Sequence, residues 1–203
     1  MRDDQKGFRS YVVIVIISLI FTVVMRETVV QAYKVPAGSM RPTLKIGDHI
    51  LVSKLAYGMR IPFSNDFLVR FDNPGRGDVI VFIFPEDRSK DFVKRVVRTG
   101  GDVVKIKNKK VWVNGQLLEE PYTLPEETRT NVARFKDMDN FGPVRVPEGK
   151  IFVLGDNRDK SYDSRFWGFV DVDDVKGRAA VIYWSWDRKN QRVRWKRMGE
   201  SIS

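Results

Sequence analysis

Residues Tyr11 to Met25 read YVVIVIISLIFTVVM, of which thirteen in fifteen are apolar and none is charged. A helix on the surface of a soluble domain carries one apolar stripe, whereas this run is apolar on every face. Arg26 and Glu27 interrupt it, and Thr28-Val29-Val30 resumes it. A helix over residues 11–30 is about 30 Å long, roughly one hydrocarbon core. Arg26 and Glu27 then fall near the far interface, where an Arg can snorkel. A cleaved leader is the first competing reading, but the residues after the run lack a small-x-small cleavage site. A buried core helix is the second, and the all-round apolarity opposes it. The sequence therefore predicts a retained membrane anchor over 11–30. Arg2, Lys6 and Arg9 place the leading tail, residues 1–10, in the cytoplasm and all that follows the anchor outside.

The rest of the 203-residue chain is bounded by what it lacks. It has no Cys and one His, His49. No disulfide, Cys nucleophile or Cys-bearing zinc finger is possible, and no metal site built from several His. Neither a metal nor a cofactor is expected. A hydrolase with this inventory takes its base from Lys, Asp, Glu, Tyr or His49. The net charge of +10 usually suggests nucleic acid. An outward-facing domain with no recognition motif argues against that partner. Arg188, Lys189, Arg192, Arg194, Lys196 and Arg197 cluster without an acid among them. They read as a strand with one solvated basic face. With Trp184, Trp186 and Trp195 they also read as a surface drawn to anionic lipid.

Beyond Val35, short runs of Val, Ile, Phe and Trp alternate with Gly, Pro, Asn and Asp. Strands are predicted at His49–Leu55, Asp78–Phe84, Asp91–Val97, Val103–Lys107, Lys110–Val113, Lys150–Leu154 and Arg178–Trp184. Asn108-Lys109 and Asn114-Gly115 read as hairpin turns. The predicted fold is mainly β: a small folded-over sheet or barrel over residues 35–203, behind one N-terminal transmembrane helix. Residues 119–149 are polar and poorly patterned, and read as an excursion with little core of its own.

Three features carry chemistry. Ser39 lies in VPAGSMRPTL, next to Gly38 and between Pro36 and Pro42. A Gly-flanked, proline-stiffened loop can present a hydroxyl and a backbone N–H in fixed geometry, although a plain turn serine has the same neighbours. Lys94 lies mid-strand in DFVKRVV, with Phe92 and Val96 on its own face. It either points to solvent from an edge or is pressed against apolar surface. In the second case burial lowers its pKa and leaves a neutral amine able to take a proton. The stretch GDNRDKSYDSRFWG, residues 155–168, sets Asp, Asn, Arg and Ser behind the apolar Ile151-Phe152-Val153-Leu154, as site-supporting hydrogen bonds or as a loop-holding network.

Together, in this order and behind an anchor, these stretches, with Gly47-Asp48-His49-Ile50-Leu51-Val52 after the first and Gly100-Gly101-Asp102 after the second, resemble bacterial type I signal peptidases from the anchor to Trp184. The resemblance implies a membrane-bound serine endopeptidase with a Ser/Lys dyad. Such enzymes cleave N-terminal signal peptides after Ala-x-Ala-type sites, at the outer face of the cytoplasmic membrane. It implies Ser39 as nucleophile and Lys94 as general base, with the Ser39 N–H in the oxyanion hole. Ser161 would orient the lysine, and Asp163 and Arg165 would form a supporting ion pair. Val35, Met40, Leu44, Phe92 and Val93 would line the pockets for the small residues at −1 and −3. The implied partners are signal-peptide-bearing preproteins and membrane lipid, with the secretion translocon nearby. Ala37 departs from members that carry a Ser there as a second oxyanion donor. His49 has no catalytic counterpart. Two other functions compete: a membrane-anchored adaptor that binds exported chains without catalysis, and a self-cleaving Ser/Lys protease.

Overall fold

The computed structural model describes residues 2–61, 64, 66–124 and 139–203, with side chains from Tyr11 onward except at 24, 26 and 27. One long helix, α1 (Arg2–Thr28), precedes a body made of strands. Its described side chains from Tyr11 to Val23 are all exposed, as all-round apolarity dictates. Among the described residues, no helix is long and apolar enough to cross a membrane. The helix stops at Thr28, short of the expected Val30, because Val30 pairs with Ser53 and opens the first strand.

The described strands are, in chain order, β1 (Val30–Lys34), β2 (Asp48–Ser53), β3 (Gly58–Arg60), β4 (Phe67–Arg70), β5 (Val79–Ile83), β6 (Asp91–Thr99), β7 (Val103–Lys107), β8 (Lys110–Val113), β9 (Gln116–Leu117), β10 (Phe141–Arg145), β11 (Lys150–Leu154), β12 (Val170–Asp171), β13 (Val175–Asp187) and β14 (Arg192–Val193). The main sheet runs β1-β2-β13-β5-β6-β11-β12, with β14 paired to β13. A second sheet runs β10-β7-β8-β9, and β3 and β4 form a separate ribbon. Every pairing is antiparallel.

The apolar runs explain the layers. Val79 and Val81 on β5 join a cluster with Val35, Met40, Leu44, Ile50 and Val52. The alternate residues Ile80 and Phe82 face the other way, against Val96, Ile151 and Val153. On β11, Phe152 and Leu154 pack with Val104, Ile106 and Val111 of the second sheet, while Ile151 and Val153 face Ile80 and Phe82. A strand buried on both faces reads as a continuous apolar run, as VIVFI and KIFVL do. Both hairpin turns of the second sheet form. Asn108 and Lys109 have φ of 50° and 65°, and Asn114 and Gly115 have 50° and 82°. Positive φ at both central residues is the type I′ geometry, whose twist matches the flanking strands.

Two expectations need correction. Residues 119–149 do not form a coreless excursion throughout. Phe141–Arg145 pairs with β7, and Val146 is buried in the second sheet's cluster. Those positions share too short and broken a pattern to read as a strand, with Gly142 and Pro143 in the middle. Residues 125–138 lie outside the described residues. The basic carboxy-terminal run is only in part a strand with a solvated face: Arg188, Lys189, Arg192 and Lys196 are exposed and Arg192 lies on β14, but Arg194 and Arg197 turn inward. Arg197 Nη2 meets the buried Asp48 carboxylate at 2.7 Å and donates to the Thr43 carbonyl at 2.8 Å. Arg194 donates to the Ile46 carbonyl at 3.2 Å. Asp48 also accepts from Ser185 Oγ at 2.6 Å and Lys45 N–H at 2.8 Å.

Burial alone pushes the Asp48 carboxyl up, but the donors from Arg197, Ser185 and Lys45 outweigh it and hold it below the ordinary value. A carboxyl held low contributes stability that is full above its unfolded pKa of about 4 and is lost as pH falls through the folded value. Asp48→Leu strands Arg194 and Arg197 without their buried counter-charge. It should cost about 3–5 kcal/mol in urea unfolding at neutral pH. A loss under 1 kcal/mol would show that the carboxy-terminal clasp holds nothing.

Candidate functional site

β6 carries Lys94 into the interior because it is flanked on both sides, with Ile80 of β5 opposite Lys94 and Leu154 of β11 opposite Arg95. An edge position would have let the amine reach water. Here Lys94 is 4% exposed. Its Nζ lies 5.3 Å from the centre of the Phe92 ring on the same strand face. Ser39 stands across the gap, and Lys94 Nζ lies 2.9 Å from Ser39 Oγ. Burial pushes the Lys94 amine down to about 8; Asp163 partly opposes this, and Arg165 adds to it. Near neutral pH an amine so lowered has an appreciable neutral fraction, far larger than that of a solvated lysine, and in contact with a hydroxyl that fraction can remove its proton.

The loop after β11 holds both partners. Asn157 N–H donates to the Ser39 carbonyl at 3.0 Å, and its Nδ2 donates to the Gly38 carbonyl at 3.1 Å. Asp156 sits between the two segments: its carboxylate receives both Nε and Nη2 of Arg95 at 2.8 Å, and Thr43 Oγ1 at 2.6 Å. Arg95 adjoins Lys94, and Thr43 follows Ser39 by four residues. One buried carboxylate thus ties the serine loop to the lysine strand. Glu120 pairs with Arg158, whose Nε donates to the Gly155 carbonyl at 3.1 Å. Lys109, at the tip of the β7–β8 turn, reaches Asp159 at 3.2 Å.

Asp163 and Arg165 form the expected ion pair, at 2.8 Å and fully inside the protein. Arg165 also donates to the Arg158 carbonyl at 2.6 Å, while Asp163 accepts the Gly155 N–H at 3.1 Å. Burial pushes the Asp163 carboxyl up, and the Arg165 charge outweighs it and holds it below the usual range. Asp163 further caps the short helix α2 (Ser164–Trp167). Ser161 is fully buried beside this pair. Its Oγ makes no hydrogen bond of ordinary geometry among the described residues, to Lys94 or to any other group, though it lies close enough to help keep Asp163 ionised.

A groove of about 320 Å³ opens onto Ser39 and Lys94. Tyr33, Val35, Met40, Phe92, Val93 and Tyr162 line it. Leu44 does not line it. It is wholly buried in the core behind Met40, because Leu44 N–H closes a turn on the Met40 carbonyl and swings the side chain inward. Ala37 lines the groove with a methyl group and no hydroxyl. Among the described residues, nothing accepts from the Ser39 N–H. His49 stands away from all this, in edge contact with Tyr183. No group of acidic or His side chains among the described residues could hold a metal.

Sequence reasoning passed over Asp156, Asn157, Thr43, Glu120 and Arg95 as individual actors. Asp156 and Asn157 are next to one another in a charge-dense loop at a strand end, which was their available signal. Gly155 has a sterically defined task. A Cβ there would lie 2.2 Å from Ser161 Oγ and 2.5 Å from the Ser39 carbonyl oxygen. Gly155→Ala therefore forces the serine loop off its seat. Overpacking should cost about 1–3 kcal/mol of stability. A shift of about 1 Å in the serine should cost at least ~10² in kcat/KM. Thermal melting beside peptide cleavage checks both, and wild-type turnover by the alanine variant would refute the tight seat.

A family model described as signal peptidase, peptidase S26, matches residues 8–184. A signal peptidase I of Pseudomonas fluorescens is 36% identical over 198 residues, covering 83% of this chain and 69% of its own length. One of Aquifex aeolicus is 33% identical, covering 87% and 84%. One of Bacillus caldolyticus is 34% identical, covering 90% and 94%. A solved signal peptidase I from Enterococcus faecalis is 31% identical, covering 53% of this chain and 97% of its own, with a TM-score of 0.43.

Proposed function

The chain belongs to the signal peptidase family, peptidase S26, and is an enzyme that cleaves signal peptides; from that premise we propose that Ser39 is its nucleophile and Lys94 its general base. The observation that carries the assignment is the 2.9 Å contact between Lys94 Nζ and Ser39 Oγ, with the amine buried. Neutral Lys94 takes the Ser39 proton as Oγ attacks the scissile carbonyl carbon. The resulting ammonium gives that proton to the departing amine. Lys94 then takes a proton from the water that hydrolyses the acyl-enzyme and returns it to Ser39. The Ser39 N–H stabilises the oxyanion, with no hydroxyl from Ala37 to assist it. The Asp163–Arg165 pair and Ser161 hold the loop against which the lysine packs.

The substrate lies extended in the groove. β1 is an edge of the main sheet, so its outer backbone groups are available to an added strand. Side chains at −1 and −3 of such a strand enter the apolar walls formed by Val35, Met40, Phe92 and Val93. Small side chains suit a groove of this size, which supports cleavage after Ala-x-Ala-type sites. The apolar run of α1, though short of a full span over its described residues, is read as the membrane anchor, the basic tail before it as cytoplasmic, and the β body as working at the outer face of the cytoplasmic membrane. Lipid, and the translocon that delivers preproteins, are the surroundings this placement implies.

Purified full-length protein in detergent, given a preprotein with an Ala-x-Ala site, tests the dyad. Lys94→Met should lose about 10²–10⁴ in rate while keeping its fold, and Ser39→Ala should lose cleavage altogether. Undiminished cleavage by Lys94→Met would sink the assignment. The pH profile is a separate test. Below about 8 the Lys94 amine gains a proton and stops being a base. The value of kcat/KM should therefore climb about tenfold per pH unit on the acid side and level off above about 8. A flat acid limb, with the protein still folded by circular dichroism, would exclude a neutral lysine base.

A further inference from the structure

The groove holds two cations that the cleavage chemistry does not use. Lys34, on the edge strand β1, and Lys160, beside Tyr162, both line it and are both exposed. Neither has an ion-pair or hydrogen-bond partner for its amine among the described residues. The one acid in the lining, Asp91, is already neutralised by Lys176 at 2.8 Å. Glu86 accepts from Tyr162 Oη at 2.9 Å and lies outside the lining. Two exposed cations thus face the single carboxylate of Glu86 beside the rim, and the groove carries net positive charge there, apart from Lys94, which works as a neutral amine.

The strand geometry says what that charge meets. Side chains alternate faces along a strand, so Lys34 points away from the face that Tyr33 and Val35 present to the core. A peptide added to β1 alternates in the same way. Its −1 and −3 side chains face the apolar walls, and its −2 and −4 side chains share the outer face with Lys34. Neighbours on one face of paired strands stand about 5–7 Å apart, within reach of a long side chain. Resting on the reading of Ser39 and Lys94 as the cleavage site, we propose that Lys34 and Lys160 select preproteins with Asp or Glu at −2 or −4, between and before the small residues.

The test is a competition. Equimolar peptides with one Ala-x-Ala site and Glu, Gln or Lys at −2 or −4 are cleaved together by the full-length protein in detergent. Mass spectrometry reads the ratio of products, which is independent of the active fraction. The parent should favour Glu over Lys by about tenfold at low salt, falling towards about twofold at about 0.5 M salt. The Lys34→Gln/Lys160→Gln protein should show a ratio near one, and Lys34→Glu/Lys160→Glu should favour Lys. Cleavage of all peptides by the parent at equal rates would overturn the selectivity and leave the proteolytic reading standing. A Glu preference that survives in the Gln variant would overturn the assignment to these lysines. Failure to cleave even the Gln peptide, under conditions where a preprotein is also left intact, would instead strike the proteolytic reading itself.

Discussion

An amine taken out of water governs this molecule. As the proposed base, Lys94 needs a proton that is easily lost, and that depends on burial rather than on a nearby cation alone. Burying one lysine is tolerable only if the other charges around it are settled. Arg95 has Asp156, Arg165 has Asp163 and Arg158 has Glu120, each pair inside the protein. Buried pairs add little stability over apolar packing, but breaking one is expensive. Their geometric role is therefore the more informative one. They fix the loop of residues 155–165 against β6 and against the segment holding Ser39, so that the buried Lys94 amine faces the Ser39 hydroxyl.

This arrangement explains why β6 occupies an interior position in the sheet. Its neighbours β5 and β11 are apolar on both faces and exclude water from the lysine side. The second sheet covers the outer face of β11 and sends Lys109 to Asp159. The carboxy-terminal arginines close the other flank. By gripping Asp48 and the carbonyls of Thr43 and Ile46, they restrain the turn that begins at the serine. Layers that look like plain scaffolding thus converge on the few ångströms between Nζ and Oγ.

Much of this was legible in the chain. Alternating and doubly apolar runs marked the strands, and Asn-Lys and Asn-Gly marked the turns, because those signals are local. The proximity of Ser39, Lys94 and the Asp163–Arg165 pair came from motif resemblance and not from periodicity. The long-range partners were out of reach. Arg197 and Asp48 are separated by 149 residues, and nothing in a basic run announces which acid will bury it. Leu44 shows the opposite failure. Its apolar type suited a pocket wall and a core equally well, and only the turn closed on Met40 decides between them. Phe141–Arg145 escaped notice because a Gly-Pro step breaks the alternation that identifies a strand.

The short passage from helix to sheet carries one more consequence. Helix α1 ends at Thr28, and β1 begins at Val30 and runs straight to the groove wall. Five residues of strand measure about 17 Å, and there is no slack loop to lengthen or shorten that distance. The strand is a ruler as well as a wall. With the helix seated in a bilayer, the serine stands at a set height above the end of the helix. On the proposed reading of the helix as anchor and Ser39 as nucleophile, a substrate is then judged by the length of chain between its own apolar segment and its small residues, in addition to what those residues are.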